Sequence, residues 1–200
     1  MISDSILNEW QEAINDMSYE ELQRSLEDSS YYQEYKELVK KRMVELEEIK
    51  AQVQEMFIKA LKKKRWRYEL VNDGNRVIFT KKNKNFFADF GYDEDSIFVY
   101  SLHKIYINME DEAKISVLRK AINATNIICS VTTYYDKDKD GDNIIVLSKG
   151  IINFVIDNPN FEIELAIIIE DCLAAQYVVK EFMKKKPSHT IKRGFHKILP

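Results

Sequence analysis

Ile6, Leu7, Trp10, Ala13, Ile14 and Met17 recur at intervals of three and four, the period of a helix that turns one face to a core. Trp10 is the expected packing anchor of that first helix. Ser18, Tyr19, Glu20 and Glu21 spell a capping box, with Met17 and Leu22 placed as a hydrophobic staple, so a second helix should start at Tyr19. Ser30 and Gln33 offer another capping box. From Tyr31 to Lys64 there is neither glycine nor proline. Tyr32, Tyr35, Val39, Leu46, Ile49, Val53, Met56 and Ala60 keep the same spacing there, broken at Arg42, which predicts one long helix or two consecutive ones.

The period then changes to two. WRYELV, NRVIFT, NFFADFGY and SIFVYSLHKIYI are separated by Asn72 to Asn75, Lys82 to Asn85 and Asp93 to Asp95, which predicts an antiparallel meander. Asn108 is the expected N-cap of a following helix, with Glu110, Asp111 and Glu112 in its first turn. That helix should stop near Asn126, because asparagine tolerates the left-handed conformation beyond a helix end. Ile127 to Tyr135 is dense in β-branched and aromatic residues and predicts a strand. DKDKDGDN makes an acidic turn, and IIVL returns as the second strand of a hairpin. Gly150 predicts a bulge or bend before Ile151 to Ile156. A turn at Asp157 to Asn160 leads to a last helix in which Phe161, Leu165, Ile168, Cys172, Ala175, Val179 and Phe182 form an unbroken stripe. Ile167, Ala174 and Val178 widen it on one flank, Ile169 and Leu173 on the other. So broad an apolar surface predicts a helix covered on two sides, by the N-terminal helices or by a second subunit.

The expected fold is α+β: an antiparallel sheet built as meander, helix and hairpin, packed against helices, with an N-terminal all-helical extension. The order of a helix ending in AIN-x-x-N, an aromatic strand, an acid-and-glycine turn, an apolar strand and a long apolar helix resembles the YbjN-like family, whose fold is that of the type III secretion chaperones. The resemblance covers roughly residues 51 to 186. It implies an α+β layer fold and a chaperone-like or protein-binding role, with no catalytic residues to carry over. The expected organisation is an acidic helical extension at residues 1 to 50, the α+β domain at 51 to 186 and a basic tail at 187 to 200.

Composition narrows the function classes. A charged fraction of 32% beside 45% hydrophobic residues is that of an ordinary globular chain, and a net charge of -3 argues against a general nucleic-acid binder. Five glycines and three prolines leave little material for flexible linkers. Residues 1 to 50 carry thirteen acidic and six basic side chains, a solvated face or a surface for a basic partner. MISDSILNEW has no basic region followed by an apolar run, and the apolar stretch Phe161 to Met183 is interrupted by six charges. The expectation is a cytoplasmic protein without a secretory signal or spanning helix. Cys129 and Cys172 lie in apolar periodic segments and should pack as free thiols in a reducing compartment.

Few motifs in the chain carry chemistry. Asp136, Asp138, Asp140 and Gly141 match the first, third, fifth and sixth positions of an EF-hand loop, but Leu147 stands where the bidentate glutamate belongs and strands flank the turn. His103, His189 and His196 have no histidine or cysteine at helical metal-site spacing. No nucleophile elbow, phosphate-binding glycine loop or paired-cysteine motif is present. No enzyme, metal or cofactor is expected. The expected partner is another polypeptide, with a homodimer as one form of it, bound through apolar sheet or helix surface. Leu165, Ile168, Cys172, Ala175 and Val179 are the candidate interface. The alternative is a nucleic-acid-associated regulator using Lys62, Lys63, Lys64, Arg65 and Arg67 around Trp66.

Overall fold

The computed structural model describes residues 3–72, 74–90, 96–107, 110–137, 144–153 and 158–184. Five helices and six strands follow in chain order: α1 Asp4–Asn15, α2 Tyr19–Glu27, α3 Gln33–Lys63, β1 Arg67–Val71, β2 Arg76–Lys81, β3 Lys84–Phe90, β4 Ser96–Ile105, α4 Glu112–Ile128, β5 Thr132–Lys137, β6 Ile144–Asn153 and α5 Phe161–Lys184. The strands form a six-stranded antiparallel sheet of order β1-β2-β3-β4-β6-β5. The expected α+β class is therefore the observed one. The chain divides into two compact units, Met1–Val99 with Ile151–Glu164, and Tyr100–Gly150 with Leu165–Pro200.

In the first unit, α1 and α2 pack on the first half of α3 around Ile14, Leu22, Tyr35, Val39 and Leu46, with Trp10 and Met17 against them. Trp10 stacks on Tyr32 and meets Tyr35 edge-on, so it does anchor α1. The Ser18 capping box forms: Glu21 N–H donates to Ser18 Oγ and Ser18 N–H to Glu21 Oε2 at 2.8 Å. The second expected box does not. Ser30 N–H donates to Asp28 Oδ1 at 2.8 Å, and Tyr32 is the N-cap of α3 without a side-chain bond. The Asp28 carboxylate thus outcompetes Gln33 for the free amide. With nothing to break it, α3 is one helix of 31 residues and runs through position 50.

The second half of α3 covers β1 to β3. Phe57 is its centre, meeting Phe79, Phe90 and Phe161 with ring centroids 5.7, 5.4 and 6.0 Å away. Gln54 Nε2 donates to Gly74 O at 2.6 Å, and the buried Lys50 ammonium to Asn75 Oδ1, which fastens the β1–β2 turn to the helix. The loop between β2 and β3 is only Lys82 and Asn83. Both have positive φ, 50° and 57°, as a type I′ turn requires.

The second unit packs α4 and α5 on β5 and β6 around Leu118, Ala121, Ile122, Ile144, Val146 and Val179. Three expectations change here. The N-cap of α4 is Asp111, which accepts from Lys114 N at 3.0 Å, a bond that holds its carboxyl below the usual range; Asn108 lies outside the described residues. The helix runs on to Ile128, so Ile127 and Ile128 are helical and the strand starts at Thr132. β-branched side chains are tolerated at a helix end when the following strand is held in place by other contacts. Finally, β6 is unbroken through Gly150 and registers regularly with β5 from Ile144 to Lys149. Gly150 is no bulge: a Cβ there would lie 2.6 Å from Ile168 Cγ2. Its missing side chain is the space that α5 occupies.

Candidate protein-binding surface

The stripe read from the sequence as an interface is consumed inside the chain. Leu165, Cys172, Ala175 and Val179 are fully buried and Ile168 nearly so. Ile168 packs on Gly150, Cys172 Sγ donates to Ser148 O at 3.3 Å, and Gln176 Nε2 donates to Ser101 Oγ at 2.9 Å. Burial pushes the Cys172 thiol up to about 12, and burial raises Cys129 also, so neither is a thiolate near neutral pH.

What α5 leaves outside is a second stripe with the same spacing. Ile163, Ile167, Glu170, Ala174 and Tyr177 are exposed and succeed one another by four, three, four and three positions. Ile167 is 51% and Tyr177 65% exposed. Beside this stripe stands the corner between α4 and β5. Ser130 N–H donates to Asp171 Oδ2 at 2.8 Å, and the Ser130 hydroxyl bonds the same oxygen. Ser130 thus ties the turn after α4 to the middle of α5, and Ile127 and Ile128, at the end of α4, are 84% and 70% exposed. Ile167 and Ala174 lie one turn before and after Asp171, on its flank of the helix.

The face of the sheet turned away from α4 and α5 is also apolar. Tyr134 pairs with Leu147 and Asp136 with Ile145 across β5 and β6, and Leu102 lies outward on β4. Its rim is Lys104, Lys149 and Asp136. The free edge of β5 is closed to a further strand at its middle. Thr133 N–H donates to Asn126 Oδ1 at 2.6 Å and Asn126 Nδ2 donates to Thr133 O at 3.0 Å. In an antiparallel pair both main-chain groups of a residue point to one side, so one amide side chain takes the place of a neighbouring strand. Asn126 is thus the second asparagine of AIN-x-x-N, but it acts as a plug two residues before the helix ends. Asn126→Ala is expected to cost about 2 kcal/mol, since two main-chain groups lose their partner. Urea unfolding measures it. Asn126→Asp, which keeps the acceptor alone, should fall between; an alanine variant as stable as the parent would remove the plug.

The nucleic-acid candidates Lys62, Lys63, Lys64, Arg65 and Arg67 are all exposed. Glu162 pairs with Lys63 at 2.7 Å and Lys64 at 3.7 Å, and the Lys63 bond holds its carboxyl below the usual range. Trp66 is half-buried and stacks on Phe79, with Lys81 Nζ 4.9 Å from its ring centroid.

Among the described residues no group of three or more histidines, cysteines or carboxylates is placed to hold a metal ion, and no helix is long and apolar enough to cross a membrane. Asp138, Asp140 and Gly141 of the acidic turn, His189, His196 and residues 187–200 lie outside the described residues.

No family model matches the chain, and no curated protein does. Among solved structures, the chain is similar to a protein from Methanothermobacter thermautotrophicus without an assigned role, at 15% identity and a TM-score of 0.46 over 64% of this chain and 96% of that one. It is also similar to YbjN from E. coli, a candidate transcription regulator, at 10% identity and a TM-score of 0.46 over 63% of this chain and 88% of that one.

Proposed function

We propose that this is a non-enzymatic module, chaperone-like or adaptor in kind, that binds another polypeptide on the outer stripe of α5. The observation that supports this reading is the exposed stripe Ile167, Glu170, Ala174 and Tyr177 of α5, in the unit that also exposes Ile127 and Ile128. Apolar side chains at that spacing fit the ridge of an incoming amphipathic helix, and an exposed apolar cluster of this kind marks an interaction site. Desolvating Ile127 and Tyr177 would contribute about 1.5–3 kcal/mol for each fully buried side chain. Glu170 within the stripe and Lys180 beyond it would set the orientation of the partner.

A photo-crosslinking amino acid at position 177, compared with one at the exposed position Glu48, tests this in cells. Discrete adducts with another polypeptide at 177 alone, abolished by Ile167→Glu, are expected. Adducts only with a second copy would make the stripe a homodimer interface. No difference between the two positions would sink the reading. Ile167→Glu should leave the melting temperature unchanged because the side chain is already half in water, whereas Ile168→Asp would report on folding instead.

A further inference from the structure

The one dense basic run of the sequence acquires neighbours in the fold. Arg67 opens β1 opposite Thr80, and Lys81 pairs with Lys84 across the two-residue turn that contains Lys82. The β2–β3 tip is therefore beside the α3–β1 corner, as the contact of Lys81 with Trp66 also shows. Lys62, Lys63, Lys64, Arg65, Arg67, Lys81, Lys82 and Lys84 collect at one end of the first unit, with Glu162 paired to two of them. Among the described residues Lys62, Arg65, Arg67 and Lys84 have no carboxylate partner.

Cations in the last turn of a helix are ordinarily explained by the helix dipole, and that accounts for Lys62 and Lys63. It does not account for Arg65, Arg67, Lys81, Lys82 and Lys84, which lie beyond the helix. Nor does a capping need explain arginine at 65. Trp66 N–H donates to Leu61 O and Arg65 N–H to Lys62 O, both at 3.0 Å, which makes a Schellman cap with Arg65 at φ 56°. Glycine fills that position at far lower strain. Arg65 stands where the backbone favours glycine.

We infer that this corner binds the phosphate backbone of nucleic acid. Arginines on a rigid strand entry and lysines on a short turn give fixed and adjustable phosphate contacts respectively. Lysine and arginine side chains from a turn and a strand entry suit contacts to phosphates rather than to base edges, so the binding would be tolerant of sequence. The nearest acidic residue of α3, the exposed Glu55, is about 10 Å along the helix from Lys62, just beyond the screening length of about 8 Å at physiological salt, and Lys59 lies between them.

The test is fluorescence anisotropy of full-length protein with a labelled, mixed-sequence oligonucleotide of about 16 nucleotides, single-stranded and duplex, across salt. Four phosphate contacts predict a log–log slope of about -3 on single strands. Lys62→Glu, Arg67→Glu and Lys84→Glu together should weaken binding at least about tenfold at about 50 mM salt. The control pair Lys40→Glu and Lys41→Glu should not. Arg65→Gly is the decisive single change, expected to raise the melting temperature while lowering affinity, which misfolding cannot mimic. No salt-dependent binding, equal losses in the control, or tighter binding of polyglutamate or anionic vesicles would each overturn the assignment. The polypeptide-binding reading of α5 stands or falls separately.

Discussion

Gly150→Val is expected to lower stability by about 3 kcal/mol, at the upper end of what overpacking costs. Even Gly150→Ala places a carbon 2.6 Å from Ile168 Cγ2 and 2.9 Å from Cγ1. Those atoms sit on a β-branched side chain that is stiff at χ1 and 93% removed from solvent, so it has nowhere to turn. Either β6 or α5 must shift, and both contribute to the buried contacts of Ser148 with Cys172 and Thr133. Urea unfolding of four proteins checks this: parent, Gly150→Ala, Ile168→Ala and the pair. Ile168→Ala alone should cost about 2–4 kcal/mol by leaving a cavity. In the double variant the new methyl fills part of that space, so the pair should cost clearly less than the two added together. Additive losses would mean that Gly150 is required for a reason other than the approach of α5.

Phe57→Ala should cost still more, about 3–5 kcal/mol, and lower the melting temperature by about 10 °C. Phe57 is fully buried and meets three other rings edge-on, so truncation removes aromatic contacts from α3, β2, β3 and the start of α5 in one step. Phe57→Leu keeps most of the volume and should lose less than half as much. Calorimetry on both variants is the measurement. A loss below about 1 kcal/mol for alanine would show that the cluster collapses around the vacancy rather than holding it open.

Much of the fold was legible in the pattern. The Ser18–Glu21 box, the meander and the pairing of the β5–β6 hairpin follow from signals within a few residues and do form, although β5 starts later than expected; where Tyr31 to Lys64 left one helix or two open, the structure has one. Two of the departures come from contacts across the fold and one from a closer local competitor. Ile127 and Ile128 suit a strand by shape, yet α4 keeps them because Asn126 reaches Thr133 across the corner. Gly150 suits a bulge by composition, but its neighbour Ile168 is eighteen positions away. Ser30 and Gln33 match a capping box, but Asp28 competes for the same amide.

The candidate surface shows the limit most clearly. On α5 the stripe from Leu165 to Val179 and the stripe from Ile163 to Tyr177 have the same four-three spacing, so periodicity could not say which is inside. The sequence by itself determined which segments are helix or strand, where most turns fall, and that α5 has more apolar surface than one contact needs. It did so because propensity, capping and period act between residues close along the chain. Only the tertiary structure decided which stripe of α5 stays exposed, why position 150 has no side chain, and that lysines 81, 82 and 84 join the run from Lys62 to Arg67. Those outcomes depend on contacts between residues far apart in the chain, where packing space and strand register rather than local preference select the partner.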